Sequence, residues 1–303
     1  MATEKLISHC PRTLSKMWLF CVLLVSPLFF GGCVMHYKEE YLVRAFPAPP
    51  PSLEELKNEF PVFDVSEERI SVANDERLYS LRLLRPDAKA TVLYFGGNGY
   101  RIGMNARYSA ETYAKLPVNL VLVDHRGYGA STGVPGIEAL MSDALSVYDS
   151  LRTEDSLAAL PIIVHGQSLG SFMAGHVASN RTLDGLVLES SVTTTEDWVR
   201  YIRGQRPIWQ RMLVRRVDVD ASLAGRGNLS VVRELDEPVL FVVGEQDPAT
   251  PVSFSQELFS TASTKNKKLL VVPGASHNNA TRSDAFREAM LEFVLRVTNS
   301  GET

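Results

Sequence analysis

"IIVHGQSLGSFMAGH", residues 162–176, holds a Gly-x-Ser-x-Gly pentapeptide from Gly166 to Gly170 behind an apolar run. At average glycine and serine usage about 0.1 such matches arise by chance in a chain of this length, so the context decides its meaning. The run "IIVH" is short, branched and apolar, the pattern of a strand buried on both faces. "SLGSFMAGHVAS" behind it reads as a helix. A serine at a strand-to-helix turn sits in strained backbone, and its neighbours must be small; Gly166 and Gly170 leave that room. The stretch predicts a sharp turn with Ser168 exposed at its apex.

Outward from that turn the same unit recurs. "TVLYFGG" (91–97), "NLVLVDHRG" (119–127), "DGLVLES" (184–190), "PVLFVVGEQD" (238–247) and "KKLLVVPGASH" (267–277) are further short, branched, apolar runs. "ERISVANDERLYSLRLL" (68–84) reads as an antiparallel hairpin around Asn74-Asp75. Between the strands, Ile137, Leu140, Ala144, Val147 and Leu151 mark one apolar helix face, and Phe286, Ala289, Met290, Phe293, Val294 and Val297 another. Alternating strands and helices predict an α/β fold, a mostly parallel central sheet with helices on both faces. Ligands of such sheets sit beyond the carboxyl ends of the strands. Ser168, Asp247 and His277 all fall at such ends.

These three residue types make a nucleophile. A serine hydroxyl needs a base to remove its proton, and the imidazole needs an acid to fix its tautomer. His277, in the loop "PGASHNN", is the first choice of base and His125 in "DHRGYG" the rival. His165 belongs to the strand and is expected to pack; His176 points away along the helix. Asp247 is the acid, with Glu245 as fallback. The oxyanion formed on attack requires two backbone N–H groups. Leu169, directly after the serine, supplies one, and Asn98 in "YFGGNGY" the other, with Gly97 as the alternative.

The chain of 303 residues carries a net charge of −4, so no overall basic field would hold nucleic acid. Its three cysteines, Cys10, Cys21 and Cys33, precede the body, which excludes a disulfide framework or a cysteine-based metal site there. Lys5, Arg12 and Lys16 precede the apolar stretch Met17–Phe30, followed by Gly31, Gly32 and Cys33, a secretory signal pattern. "FFGGC" resembles the bacterial lipoprotein signal, which implies lipidation of Cys33. Val34, where an Asp would favour inner-membrane retention, points to the periplasmic face of the outer membrane. An uncleaved anchor helix over Met17–Met35 or simple secretion are the alternatives. The domain reading is therefore a signal at 1–32, a Pro-rich tether at 33–64 with "FPAPPPS" in it, and a catalytic body at 65–298.

Within that body "GGNG", "DHRGYGASTG", "GQSLG", "GEQDPATP" and "GASH" resemble the α/β-hydrolase domain-containing serine hydrolases. The order Ser–Asp–His is the α/β-hydrolase order. The resemblance implies an α/β-hydrolase fold and hydrolysis of an ester, thioester or amide without metal or cofactor. Two positions depart from the pattern: His125 replaces a common tyrosine, and Gly96 stands where many members have histidine.

Residues 191–237 are too long for a plain connection and are expected to form a small cap insertion. Trp198 and Trp209 are candidates to line an acyl pocket, and Arg203 to meet an anionic group of the substrate. The cap's arginines also suit a solvated basic face or an anionic membrane surface. The expected substrate is a small-molecule ester or lipid acyl group. Two alternatives stand beside it, a serine peptidase of the same fold and a non-catalytic membrane-tethered binding protein. Loss of a triad member would mark the latter, and all three candidates are present.

Overall fold

The computed structural model describes residues 33–299. The expected signal at 1–32 lies outside them. At the front come β1 (Cys33–Tyr37), β2 (Phe46–Pro47) and helix α1 (Leu53–Glu59). The hairpin is β3 (Asp64–Ser71) and β4 (Arg77–Leu84), antiparallel as expected. Its loop holds Asn74 and Asp75 at φ +64° and +58°, a left-handed region these two residues tolerate. There follow β5 (Ala90–Phe95), α2 (Ile102–Tyr113), β6 (Val118–Val123), β7 (Tyr128–Gly129), α3 (Ile137–Arg152), α4 (Asp155–Ala158), β8 (Ile162–Gln167), α5 (Gly170–Asn180) and β9 (Gly185–Glu189). The cap stretch forms α6 (Thr195–Gly204), α7 (Ile208–Leu213), β10 (Val214–Val219) and α8 (Leu229–Glu234). The chain closes with β11 (Val239–Gly244), α9 (Val252–Thr261), β12 (Lys267–Val272) and α10 (Asp284–Asn299).

The main sheet has eight strands in the order β12-β11-β9-β8-β5-β6-β4-β3. From β12 to β6 every pair is parallel; β4 and β3 add an antiparallel edge. β5, β6, β8, β9 and β11 are buried along their whole length, which is why their sequences are apolar without alternation. One face carries α3, α5 and α9 through Val147, Met173 and Leu258; the other carries α1, α2 and α10 through Leu56, Ala106 and Phe293. After β5 the chain winds to one side into β6, then crosses to the other side into β8. The strand order therefore reverses at β5 and β8, whose carboxyl ends open the crevice where such sheets bind ligands.

Residues 33–64 depart from the expected tether. β1 pairs in parallel with β10 of the cap, and β2 with β7. Glu39 joins three elements: its N–H donates to Asp220 at 2.8 Å, and its carboxylate accepts the Ile137 N–H at the start of α3 at 2.6 Å. A carboxylate there satisfies an orphan donor and meets the positive end of the helix. The proline run is also packed. A Cβ on Gly103 would stand 2.0 Å from the Pro49 carbonyl, so glycine lets that run approach α2. Composition alone reads this segment as a linker because its partners lie far away in sequence.

A buried ion pair ties the loop after β6 to α3. Arg126 donates from Nε and Nη2 to both oxygens of Asp143, at 2.8 and 2.6 Å, with both side chains about 95% inaccessible. Asp143→Ala would strand the guanidinium without its counter-charge. The expected loss is about 3–5 kcal/mol, read as a lower urea midpoint at unchanged m-value.

Candidate active site

Ser168 lies between β8 and α5 with φ +51°, a left-handed conformation that costs a residue with a Cβ. Close packing imposes it. A Cβ on Gly170 would lie 1.9 Å from the Phe95 carbonyl, and one on Gly166 would lie 2.4 Å from the Gly170 carbonyl. Both glycines of the pentapeptide are thus steric requirements of a helix pressed against the sheet. The turn is held by the Ser168 N–H donating to the Glu189 carbonyl at 2.9 Å, and by the Ser171 hydroxyl donating to the Ser168 carbonyl at 2.6 Å.

The structure brings the three predicted residues together. Ser168 Oγ lies 3.0 Å from His277 Nε2, and His277 Nδ1 lies 2.8 Å from Asp247 Oδ2 and 3.0 Å from Oδ1. Asp247 begins a tight turn in "DPAT". Its Oδ1 accepts the N–H groups of Ala249 and Thr250 at 2.8 and 2.9 Å, and its Oδ2 the Thr250 hydroxyl at 2.7 Å. Burial pushes this carboxyl up. The hydrogen bond and charge of His277, with the Thr250 donors, outweigh burial and hold it below the usual carboxylate range. With Nδ1–H directed at Asp247, Nε2 presents its lone pair to Ser168.

The rivals are engaged elsewhere. Glu245 accepts the Gly274 N–H at 2.9 Å. His125 is buried, with Nε2 2.8 Å from the Gly96 carbonyl, and burial lowers its pKa, so it stays neutral and donates there. It braces the "GGNG" turn where the family pattern carries tyrosine. His165 is buried as expected, between the Tyr113 hydroxyl and Glu189 Oε2, the latter at 3.2 Å. His176 faces Asn180 on the far side of α5.

Leu169 and Asn98 both line the cavity at Ser168. Tyr128 Oη donates to Asn98 Oδ1 at 3.3 Å, which steadies that turn. Gly97 sits so close that an added Cβ would fall 2.2 Å from Gln167 Oε1 and 3.2 Å from Ser168 Cβ. The backbone of "GGNG" therefore passes directly over the serine.

Two cavities flank this point. One of about 340 Å³ reaches Ser168 and His277 and is walled by Tyr41, Leu42, Leu169, Phe172, Val192 and Trp198. The other, about 360 Å³, is walled by Tyr94, Tyr100, Asn105, Tyr108, Glu189 and Arg282. Asn98, Gln167 and Asn278 border both. The first is apolar and the second polar. Of the cap candidates only Trp198 faces the site, its Nε1 donating to the Ala249 carbonyl at 3.1 Å. Trp209 is 60% exposed, and Arg203 donates to the Val214 carbonyl at 2.7 Å within the cap. Pro207 breaks the insertion into two helices, so Trp209 lies on a separate element from Trp198.

Four contributors escape the sequence reading. Gln167 Nε2 donates to the His277 carbonyl at 3.3 Å, linking elbow and base loop. Thr250 clamps the acid; an Asp three residues before a Thr is the available signal. Tyr41 and Leu42 come from the segment expected as tether.

Residues 86–225 match the family model described as "Serine aminopeptidase, S33", and residues 219–300 the one described as "TAP-like protein". Protein bem46 of Schizosaccharomyces pombe is 26% identical over 77% of this chain and 78% of its own length. A Saccharomyces cerevisiae protein named as a membrane protein, YNL320W, is 27% identical over 69% of this chain and 72% of its own. The human α/β hydrolase domain-containing protein 17B is 25% identical over 69% and 67%. Among solved structures, the Pyrococcus furiosus esterase Pf2001 superposes with a TM-score of 0.62 at 17% identity, over 79% of this chain and 95% of that one. The fold is the α/β-hydrolase fold. Among the described residues no helix is long and apolar enough to cross a membrane.

Proposed function

We propose that this chain, an α/β-hydrolase by fold and by sequence likeness, is a serine hydrolase that cleaves carboxylic esters, thioesters or acyl lipids through an acyl-enzyme. The observation that carries this reading is the unbroken hydrogen-bond chain Ser168–His277–Asp247 at the switch point of the sheet. Ser168 Oγ attacks the acyl carbon while His277 Nε2 takes its proton. Asp247 holds the imidazole and stabilises its positive form. The N–H groups of Leu169 and Asn98 receive the oxyanion. His277 returns the proton to the leaving group, and water then hydrolyses the acyl-enzyme by the same steps in reverse order. The acyl chain occupies the apolar cavity under Trp198 and Phe172. The leaving group departs through the polar one beside Asn105 and Arg282.

One observation favours a second reading. The family model over residues 86–225 is named for an aminopeptidase, and the polar cavity offers Glu189 and Arg282 to a charged amide substrate. Membrane attachment is part of the proposal: Cys33 carries the lipid, or an uncleaved anchor starting at Met17 holds the chain, although of the expected Met17–Met35 the residues Cys33–Met35 belong to strand β1. The outer-membrane, periplasmic placement rests on "FFGGC" and on Val34 after it.

A fluorophosphonate probe tests the reaction class. Wild type should label and Ser168→Ala should not. Equal labelling of both would remove Ser168 from the mechanism. A folded wild type that never labels would favour a binding protein on this fold. Turnover of peptides but not esters would select the second reading.

A further inference from the structure

The cap helix α7 (Ile208–Leu213) turns large apolar side chains into solvent. Ile208 is 73%, Trp209 60%, Met212 77% and Leu213 53% exposed. Their spacing, i, i+1, i+4 and i+5, puts them on one helical face. Contiguous apolar surface of this kind on a water-soluble domain marks an interaction site.

What covers this face is indicated by two further observations. First, residues 198–217 contain six arginines and no acidic residue. Arg206 and Arg211, which frame the apolar face, are exposed. A basic rim around an apolar helix with an interfacial tryptophan suits a surface of anionic lipid. Second, the chain enters the described structure at this place. α7 runs directly into β10, and β1 pairs beside it with Cys33 opposite Val214, the residue after Leu213. The described chain therefore begins, at Cys33, next to the end of α7. Val34, the next residue, is 47% exposed.

We infer that α7 is a membrane-docking face: Ile208, Trp209, Met212 and Leu213 enter the headgroup region of an anionic bilayer while the flanking arginines meet lipid phosphates. Strand β1 also leads toward the wall of the apolar cavity. Trp198 packs edge-on against Tyr37 of β1 at 5.3 Å, and Tyr41 and Leu42 follow β1 on the cavity wall. The inference does not depend on the reaction assigned to Ser168.

The test uses the full chain in which Trp18→Phe and Trp198→Phe leave Trp209 as the sole tryptophan, reconstituted in phosphatidylcholine–phosphatidylglycerol vesicles. Brominated lipid should lower Trp209 emission about two-fold, as for a ring seated roughly 5–10 Å into the headgroup boundary. Adding Ile208→Ser, Met212→Ser and Leu213→Ser should abolish that quenching. These residues are exposed, so the thermal melt should stay unchanged, and vesicle attachment through the N-terminus should persist. Emission insensitive to bromine and fully open to iodide from the buffer would overturn the inference. Protection from iodide without bromine quenching would put a second protein copy on the face and overturn it too.

Discussion

Ser168→Ala is expected to lower kcat for any ester substrate by about 10⁵- to 10⁶-fold, with KM changed little. The hydroxyl is the only atom removed, and the backbone strain at φ +51° remains because alanine keeps the Cβ. The residual rate comes from the oxyanion donors and substrate positioning alone. Ser168→Gly separates chemistry from stability. It should be as inactive as the alanine variant, yet about 1 kcal/mol more stable, because glycine adopts the left-handed conformation without cost. Steady-state kinetics with a nitrophenyl ester and urea unfolding check both halves. Retained turnover in either variant would mean that the reacting group is not this hydroxyl.

Asp247→Asn is expected to cost about 10⁴-fold in kcat with the fold intact. The amide oxygen can still accept the Ala249 and Thr250 N–H groups. The amide NH₂ then faces His277, which must offer a lone pair at Nδ1 and so places its proton on Nε2. A protonated Nε2 cannot take the serine proton. The substitution also leaves a stability signature in pH. Asp247 is held below the ordinary carboxylate range in the folded chain, so it binds protons less tightly there than when unfolded. Its contribution is complete above the unfolded value of about 3.9 and is lost as pH falls through the lower folded value. The wild-type advantage over Asp247→Asn should therefore stay flat from neutral pH to about 4 and close below that. An unchanged kcat would transfer the orienting role to another acid. Glu245 already accepts the Gly274 N–H, so it is a poor substitute.

The parts legible in the sequence are those set by local sterics and by period. The six parallel strands are apolar on both faces, and the two glycines around Ser168 answer to specific carbonyls, Phe95 and Gly170. His277 and Asp247 were readable because both stand just past strand ends. The illegible parts depend on distant partners. Glu39 bonds Asp220, 181 residues away, and Ile137, 98 residues away, so a segment that reads as a Pro-rich tether is instead part of the wall around the site. In the cap, composition names the aromatic and basic residues but not the direction of the helix that carries them. Trp198 consequently faces the cavity, whereas Trp209, on a separate short helix after Pro207, faces solvent. The departure of His125 from the family pattern becomes intelligible only once its bond to the Gly96 carbonyl is visible.

The central claim is that the acyl group passes through Ser168. Intact-protein mass spectrometry after rapid acid quench of a reaction with a slowly deacylated ester tests it most directly. The account predicts one added acyl mass per chain, mapped after digestion to the peptide carrying Ser168, and absent from Ser168→Ala. Turnover with no covalent adduct, or an adduct mapped to another residue, would contradict it.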